Sequence, residues 1–325
     1  MRIALLSSYA SACGIATYSD DLAAALRSRG HEPRVLAMDL DSAASYCPGM
    51  SSQYVRCWSR QGDYARVSDH LSAFRPDVLH VQHEYGLHKG IGRFSAWLAS
   101  LYTVPTVVTL HTVPIPGHPQ SENLDWMMGV LRRCPCRVIA HQQGGVEALV
   151  AYGVKHTHCI PHGTGGPFPP TERALARQRL RLPPNAFIFA TVGFWTVGKR
   201  NDSSIHAFVH LRERGLIPND AVFLLAGQPI GADSDEDMRR WCVKLEQSGL
   251  TAAVQIRPGF VPDENLADYY GAADVVIANS GPTMYSTSGR GHLAMAYGAA
   301  VLAADVPLLA EFRYCGLAFA SQAQL

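Results

Sequence analysis

The stretch GTGGPFPPTERALARQRLRLPPN, residues 163–185, divides this chain. It carries three glycines and five prolines around a short basic segment, the composition of a connection between domains. Immediately after it, FIFATVGFW (187–195) opens a new apolar strand, followed by alternating helical and apolar segments. AVFLLAGQP (221–229), VQIRPGFV (254–261) and DVVIANS (274–280) read as further strands. The segments 203–215, 237–250 and 264–273 read as helices between them. The same texture precedes the divide. RIALLSS (2–8), PRVLAMD (33–39), DVLHVQH (77–83), PTVVTLH (105–111), RVIAHQ (137–142) and HCIPHG (158–163) read as strands. GIATYSDDLAAALRSRG (14–30) reads as a helix with Ile15, Tyr18, Leu22 and Leu26 on one face, and GGVEALVAYGV (144–154) as another. Strands that are apolar without alternation, with helices between them, belong to parallel sheets covered on both faces. The pattern predicts an α/β chain of two Rossmann-like domains, 1–166 and 185–325, with a linker over 167–184. Their sheets are expected to face each other across a cleft lined by the carboxyl ends of the strands.

Composition bounds the function. At 325 residues, two domains are the default. Hydrophobic residues make up 47% and charged residues 17%, so the chain folds into cores. A net charge of +1 argues against a dedicated nucleic-acid binder. The opening MRIALLSSYA is too short in its apolar run for a secretory leader, and no run approaches the ~20 apolar residues of a membrane helix. A cytoplasmic protein is expected. The eight cysteines are scattered and read as reduced core thiols. Cys134 and Cys136 with His156–Cys159 can be drawn as a zinc site, but Cys-x-Cys is tighter than the usual knuckle, and no metal is expected. DLDS at 39–42 has the letters of a metal-binding carboxylate pair and reads as a loop.

Several polar residues stand at strand ends, where α/β proteins bind ligands. Gly14 follows a strand and opens a helix, so a ligand can approach the bare backbone at the helix's positive end; a tight turn is the plain alternative. His111 ends an apolar strand, as a cleft residue or as a satisfied structural histidine. Glu84 follows a strand, as an acceptor-binding carboxylate or a loop charge. Lys199 follows the first strand of the second domain, where a point charge suits a diphosphate. Ser286, Thr287, Ser288 and Gly289 precede the helical stretch GHLAMAYG, placing hydroxyls and free N–H groups where phosphate oxygens are held; a capped helix without ligand is the alternative. The first strand is followed by no Gly-x-Gly-x-x-Gly run, which removes the nicotinamide-dinucleotide class.

Taken together, CGIATYSDDLAAAL (13–26), DVLHVQHEYGLHKG (77–90), TVVTLHTVP (106–114), IPHG (160–163), LLAGQP (224–229), LADYYGAADVVIANS (266–280) and STSGRGHLAMAYGAAVLAAD (286–305) resemble, in order and spacing, retaining glycosyltransferase family 4. The resemblance runs from residue 2 to about 315. It implies the GT-B fold and transfer of a sugar, with retention, from a UDP- or GDP-sugar or similar donor. The acceptor is left open between a glycan, a lipid-linked and a small-molecule compound. His111 matches the family's histidine that contacts the donor sugar, and His83 with Glu84 a pattern on the acceptor side. Gly14, Thr196, Lys199, Ser286, Thr287, Ser288 and Gly289 fall with the donor, with His111 and Lys199 as the catalytic pair; no cofactor beyond the donor is implied.

The resemblance also has departures. The family places an arginine shortly before its lysine, where Phe194 and Thr196 stand here; Arg200 is the neighbouring substitute. Two glutamates separated by seven residues, one for the ribose, match Tyr285 and Leu293, or Met284 in another branch, leaving Glu311 as a candidate replacement. Family members continue into a helix that crosses back to the first domain, so a chain ending at Leu325 is expected to have a looser hinge. These departures keep a second expectation open: a catalytically silent homologue that partners an active glycosyltransferase. The run Arg173, Arg177, Arg179, Arg181 points to contact with acidic phospholipid or a lipid-linked acceptor, or to a solvated linker face.

Overall fold

The structure, a computed structural model, describes residues 1–11, 13–40, 53–101, 103–118, 124–281, 284–314 and 317–319. It divides into two compact units, Met1–Thr164 with Met284–Thr287, and Gly165–Thr283 with Ser288–Leu325.

In the first unit the chain runs β1 (Arg2–Ser7), α1 (Gly14–Ser28), β2 (Glu32–Met38), β3 (Tyr54–Trp58), α2 (Ala65–Phe74), β4 (Val78–His83), α3 (Ile91–Ala99), β5 (Thr106–Leu110), β6 (Thr112–Val113), α4 (Trp126–Leu131), β7 (Arg137–Ala140), α5 (Gln143–Ala151) and β8 (Thr157–Cys159). Seven of these strands form one sheet in the order β3-β2-β1-β4-β5-β7-β8, and every adjacent pair is parallel. β1 lies inside the sheet with β2 on one side and β4 on the other. The strand order therefore reverses between β1 and β4, where doubly wound folds bind ligands at the carboxyl edge. β1 is buried along nearly its whole length, as its apolar run requires.

Two details go beyond the sequence expectation. The buried line of α1 is Ala16, Ser19 and Ala23, with Leu22 and Leu26 only partly covered. Small side chains let the helix sit close to the sheet, where the Ser19 and Ser7 hydroxyls bond at 2.7 Å, and the larger residues flank that line. The edge strand β3 was not read from the sequence. It is anchored by Trp58, fully buried, whose indole N–H donates to Leu36 O at 2.8 Å.

The second unit contains α6 (Arg173–Arg179), β9 (Ile188–Val192), α7 (Asn201–Glu213), β10 (Val222–Gly227), α8 (Ala232–Gln247), β11 (Val254–Pro258), α9 (Asp263–Ala272), β12 (Val275–Ala278), α10 (Gly289–Ala296), β14 (Val301–Ala304), a 3₁₀ turn at Pro307–Tyr314 and β15 (Leu317–Phe319). Between β12 and α10, β13 (Tyr285–Ser286) pairs antiparallel with β6 and is counted with the first unit. The six-stranded parallel sheet has the order β11-β10-β9-β12-β14-β15, so its own reversal lies between β9 and β12. At the ends of β9 and β10 the backbones nearly touch. A Cβ on Gly227 would lie 1.7 Å from Gly193 O, so only glycine fits.

The segment expected as a linker is built into the second unit. Arg177 of α6 is buried and donates to Ala272 O at 3.1 Å, Pro184 O at 2.6 Å and Asp274 Oδ2 at 2.7 Å. Asp274 also accepts from Arg173 at 2.8 Å and from the Ile188 N–H at 2.7 Å, and Arg179 pairs with Asp268 at 3.0 Å. Of the four arginines read as a membrane contact or a solvated face, Arg177 is buried, while Arg173 and Arg179 pair with Asp274 and Asp268 and stay exposed, as does Arg181. These pairs clamp α6 to the start of β9 and to α9.

Candidate functional site

In the first unit, the polar residues of β4 and β5 gather at the carboxyl edge of the sheet. The His111 N–H bonds to His83 O at 3.0 Å, so the two strand ends are laced together. His111 is buried, and its Nε2 bonds Gln82 Oε1 at 2.9 Å, which assigns the proton to Nε2 and leaves Nδ1 as an acceptor. Around it lie two residues to which the sequence reading gave no role, His141 and His162. Tyr18 of α1 sets its ring against all three imidazoles, with centroids 5.1, 5.5 and 4.8 Å away. Burial, then the neighbouring histidines, hold His111 far below the usual imidazole range, so it is neutral. A neutral imidazole accepts or donates hydrogen bonds to a sugar without adding charge.

Glu84 is held by its surroundings. Its Oε1 accepts from the Tyr85 N–H at 2.9 Å and its Oε2 from the Thr112 hydroxyl at 2.8 Å. Burial raises its carboxyl above the ordinary value, and these hydrogen bonds oppose that rise. His83 departs from an acceptor-facing role. It is fully buried, neither ring nitrogen has a hydrogen-bond partner among the described residues, and it stacks on His88 at 5.2 Å and 4°. His88 stacks in turn on Trp58 at 4.9 Å and takes the Tyr64 hydroxyl at 2.7 Å. His83 is thus a core residue beneath the edge, and Glu84 is the polar group that the edge presents. Ser286 also differs from expectation: its hydroxyl donates to His111 O, and it belongs to the β13–β6 ribbon.

In the second unit, the loop after β9 and the loop after β12 meet at the strand-order reversal. Asn279 Nδ2 donates to the Ser203 and Ser204 hydroxyls at 2.9 Å each and to Arg200 O at 3.2 Å, while the Gly281 N–H bonds Gly198 O at 2.9 Å. These bonds fix the turn Val197–Lys199. Lys199 points inward, its ammonium donating to Phe194 O at 2.8 Å. Burial first, and Arg290 second, push its amine well below the usual lysine range. Thr196 begins this turn with no side-chain cap bond. Ser288 caps α10, its hydroxyl accepting from the Gly291 N–H at 3.2 Å. Gly14 opens α1, and nothing lies within 4 Å of where its Cβ would be. Arg200 does not join Lys199; it pairs with Asp202 at 3.3 Å. At the ribose positions, Leu293 packs at the margin of the apolar core, and Glu311 pairs with His292 at 3.0 Å. Of the cysteines read as core thiols, Cys57 and Cys136 are buried, Cys13, Cys134 and Cys242 are half-buried and Cys159 is exposed, while burial pushes Cys136 up to about 12 and raises Cys134. Cys47, Cys315, Asp41 and Ser42 lie outside the described residues.

Comparison with known proteins agrees with this architecture. Residues 13–165 match the family described as glycosyl transferase 4-like domain. The chain is 28% identical over 259 residues to a D-inositol 3-phosphate glycosyltransferase of Streptomyces bingchenggensis, covering 71% of this chain and 52% of that one. It is 29% identical to the enzyme of the same name from Actinosynnema mirum, covering 86% and 75%. The chain thus spans about half the length of the first relative and three quarters of the second. Among solved structures, it superposes on HepE of Anabaena in complex with UDP and glucose, with a TM-score of 0.73, 17% identity and coverage of 99% and 86%. It also superposes on the sucrose-phosphate synthase of Thermosynechococcus elongatus, with a TM-score of 0.71, 19% identity and coverage of 100% and 87%. Residues 13–165 are thus similar to the glycosyl transferase 4-like domain, the curated relatives of the chain carry glycosyltransferase names, and the chain, with its two Rossmann-like parallel sheets, has the GT-B fold.

Proposed function

We propose that the protein is a retaining glycosyltransferase that takes a nucleotide-diphosphate sugar and passes the sugar to a hydroxyl acceptor. The observation that carries this reading is Lys199, whose amine is drawn into the second unit at its strand-order reversal and met there by a carbonyl. An ammonium so placed suits the diphosphate of a donor. The N-terminal turn of α10, capped by Ser288, supplies main-chain dipoles of the same sign. The curated relatives are named as glycosyltransferases, and the Anabaena neighbour holds UDP, which supports the same donor class here.

In this reaction the bond from the anomeric carbon to the diphosphate oxygen breaks with oxocarbenium character. The acceptor oxygen bonds the same face of that carbon, and its proton passes to the departing phosphate oxygen. Lys199 stabilises the charge that grows on the leaving group, and neutral His111 positions a sugar hydroxyl. Glu84 orients the acceptor. No step needs a carboxylate nucleophile or a metal. A cytoplasmic location is part of this proposal, and separately no helix among the described residues is long and apolar enough to cross a membrane.

The replacement of a ribose carboxylate by Leu293 at the core margin favours one second reading, a silent homologue that partners an active transferase. Incubation with UDP-, GDP- and ADP-sugars decides between the two. Donor hydrolysis or transfer, with a raised melting temperature, is expected of the enzyme. Absence of any melting shift at millimolar nucleotide sugar refutes donor binding, and binding without turnover favours the partner.

A further inference from the structure

The donor site, as the family resemblance implies it, has two cations, and the matching positions of this chain supply one, with Phe194 and Thr196 in the missing arginine's place. The structure brings a second cation to the same point from another element. Arg290, in the first turn of α10, lies over the loop that ends β9. Its Nε is 3.6 Å from where a Cβ on Gly193 would be, and its Nη2 donates to Phe194 O at 3.3 Å. Phe194 O therefore receives both the Lys199 ammonium and the Arg290 guanidinium.

Neither cation forms an ion pair with a carboxylate among the described residues. Elsewhere in this unit Arg173, Arg177, Arg179, Arg239 and Arg240 each find one. Both side chains keep part of their outline accessible, yet their charged ends are densely surrounded by protein. Burial brings the Arg290 guanidinium down to about 10, and Arg290 in turn adds to the depression of the lysine. Arg290 keeps its charge while the lysine beside it holds its proton only weakly, and an anion shared between the two would restore that proton and satisfy both groups.

That anion has a recognisable chemistry. The N–H groups of Gly289 and Arg290 begin α10 and have no acceptor among the described residues, because the cap made by Ser288 serves Gly291. A guanidinium with unused donors, an ammonium and two main-chain N–H groups match the oxygens of two linked phosphoryl groups better than a single carboxylate. We propose that Arg290 is the second diphosphate-binding cation of this protein, acting as a pair with Lys199 on the anion. The proposal rests on the donor reading above and adds to it the residue that restores the missing charge. In the transfer step, Arg290 would share with Lys199 the negative charge that accumulates on the leaving diphosphate.

The test measures binding of inorganic pyrophosphate, of UDP, GDP and ADP, and of the matching nucleoside monophosphates. The full chain is compared with its Arg290→Gln, Arg290→Lys and Lys199→Gln variants. Wild type is expected to bind at least one nucleoside diphosphate. Arg290→Gln is expected to weaken that binding roughly 10- to 100-fold, the range of a charged hydrogen bond, and the monophosphate by a smaller factor. Arg290→Lys is expected to recover part of the loss. If wild type binds no diphosphate, the donor reading fails and takes this inference with it. If wild type binds and Lys199→Gln weakens it while Arg290→Gln does not, the donor reading stands and Arg290 is only a brace for the loop. Should the glutamine variant fail to fold by circular dichroism, a crystal of wild type with pyrophosphate replaces it. An anion oxygen on the Arg290 guanidinium supports the assignment, and an anion bound away from Arg290 overturns it.

Discussion

Acid is expected to unfold the first unit well before it protonates most ordinary carboxylates. His80, bonded to the Thr109 hydroxyl at 2.7 Å and facing His141, is held at about 4 by burial. His88, stacked between Trp58 and His83, is held at about 4 by burial against a weak bond to Gln82 O. His83 and His111 are displaced in the same direction. Each imidazole binds its proton more weakly in the fold than in the unfolded chain, where the ordinary value is about 6.5. As pH falls through the interval from about 6.5 to about 4, the unfolded chain takes up protons that the fold refuses. The stabilisation, fully present above 6.5, is therefore lost on acidification. At about pH 5, linkage gives about 2 kcal/mol lost for each of His80 and His88, a large part of the roughly 5–15 kcal/mol that holds a domain. Glu84 works the other way, since its raised carboxyl protonates first in the fold, but it is a single group. The assay is urea unfolding at about pH 7 and about pH 5, followed by hydrogen exchange on peptides from β4 and β5. The midpoint should drop sharply at the lower pH, and His88→Phe, which keeps an aromatic ring but cannot titrate, should reduce the drop. A midpoint that does not move between the two pH values refutes the reasoning.

Three further outcomes follow from single contacts. Arg177→Ala leaves Asp274 short of its buried partner and is expected to destabilise the second unit by about 3–5 kcal/mol in thermal melts; a change within experimental error contradicts the clamp. Gly227→Ala must displace Gly193 O, 1.7 Å from the added carbon, so the variant should lose most of its soluble folded yield, and a wild-type melting curve would count against the contact. Because Lys199 is only weakly basic in the free protein, a bound diphosphate should restore its proton. Calorimetry in buffers of different ionisation enthalpy should then show proton uptake on binding UDP or GDP at alkaline pH; absence of uptake across the alkaline range contradicts that placement of the lysine.

The fold was legible because its signals are local. Unbroken apolar runs such as RIALLSS and FIFATVGFW cannot be placed except in buried parallel strands, and the Gly- and Pro-rich divide marks where one sheet stops. What escaped reading depended on neighbours. β3 carries Arg56 in its middle and owes its place to Trp58 reaching Leu36 O. Among the arginines of the basic run 173–181, which are otherwise solvated, nothing in the sequence says that Arg177 alone is buried against Asp274. Around the site, Lys199 was visible from its position after a strand. Arg290 was not, since nothing in SGRGH says that its guanidinium meets Phe194 O; only the approach of the first turn of α10 to the loop after β9 does. His83 misled for the same reason. A histidine at a strand end reads as a site residue, and only the stack with His88 and Trp58 shows it to be core.

The most direct measurement of the central claim is a crystal structure of the chain with UDP or GDP bound. The account predicts phosphoryl oxygens on Lys199 Nζ, on the Arg290 guanidinium and at the first turn of α10. A nucleotide seated elsewhere, with Lys199 and Arg290 still turned only to Phe194 O, would contradict it.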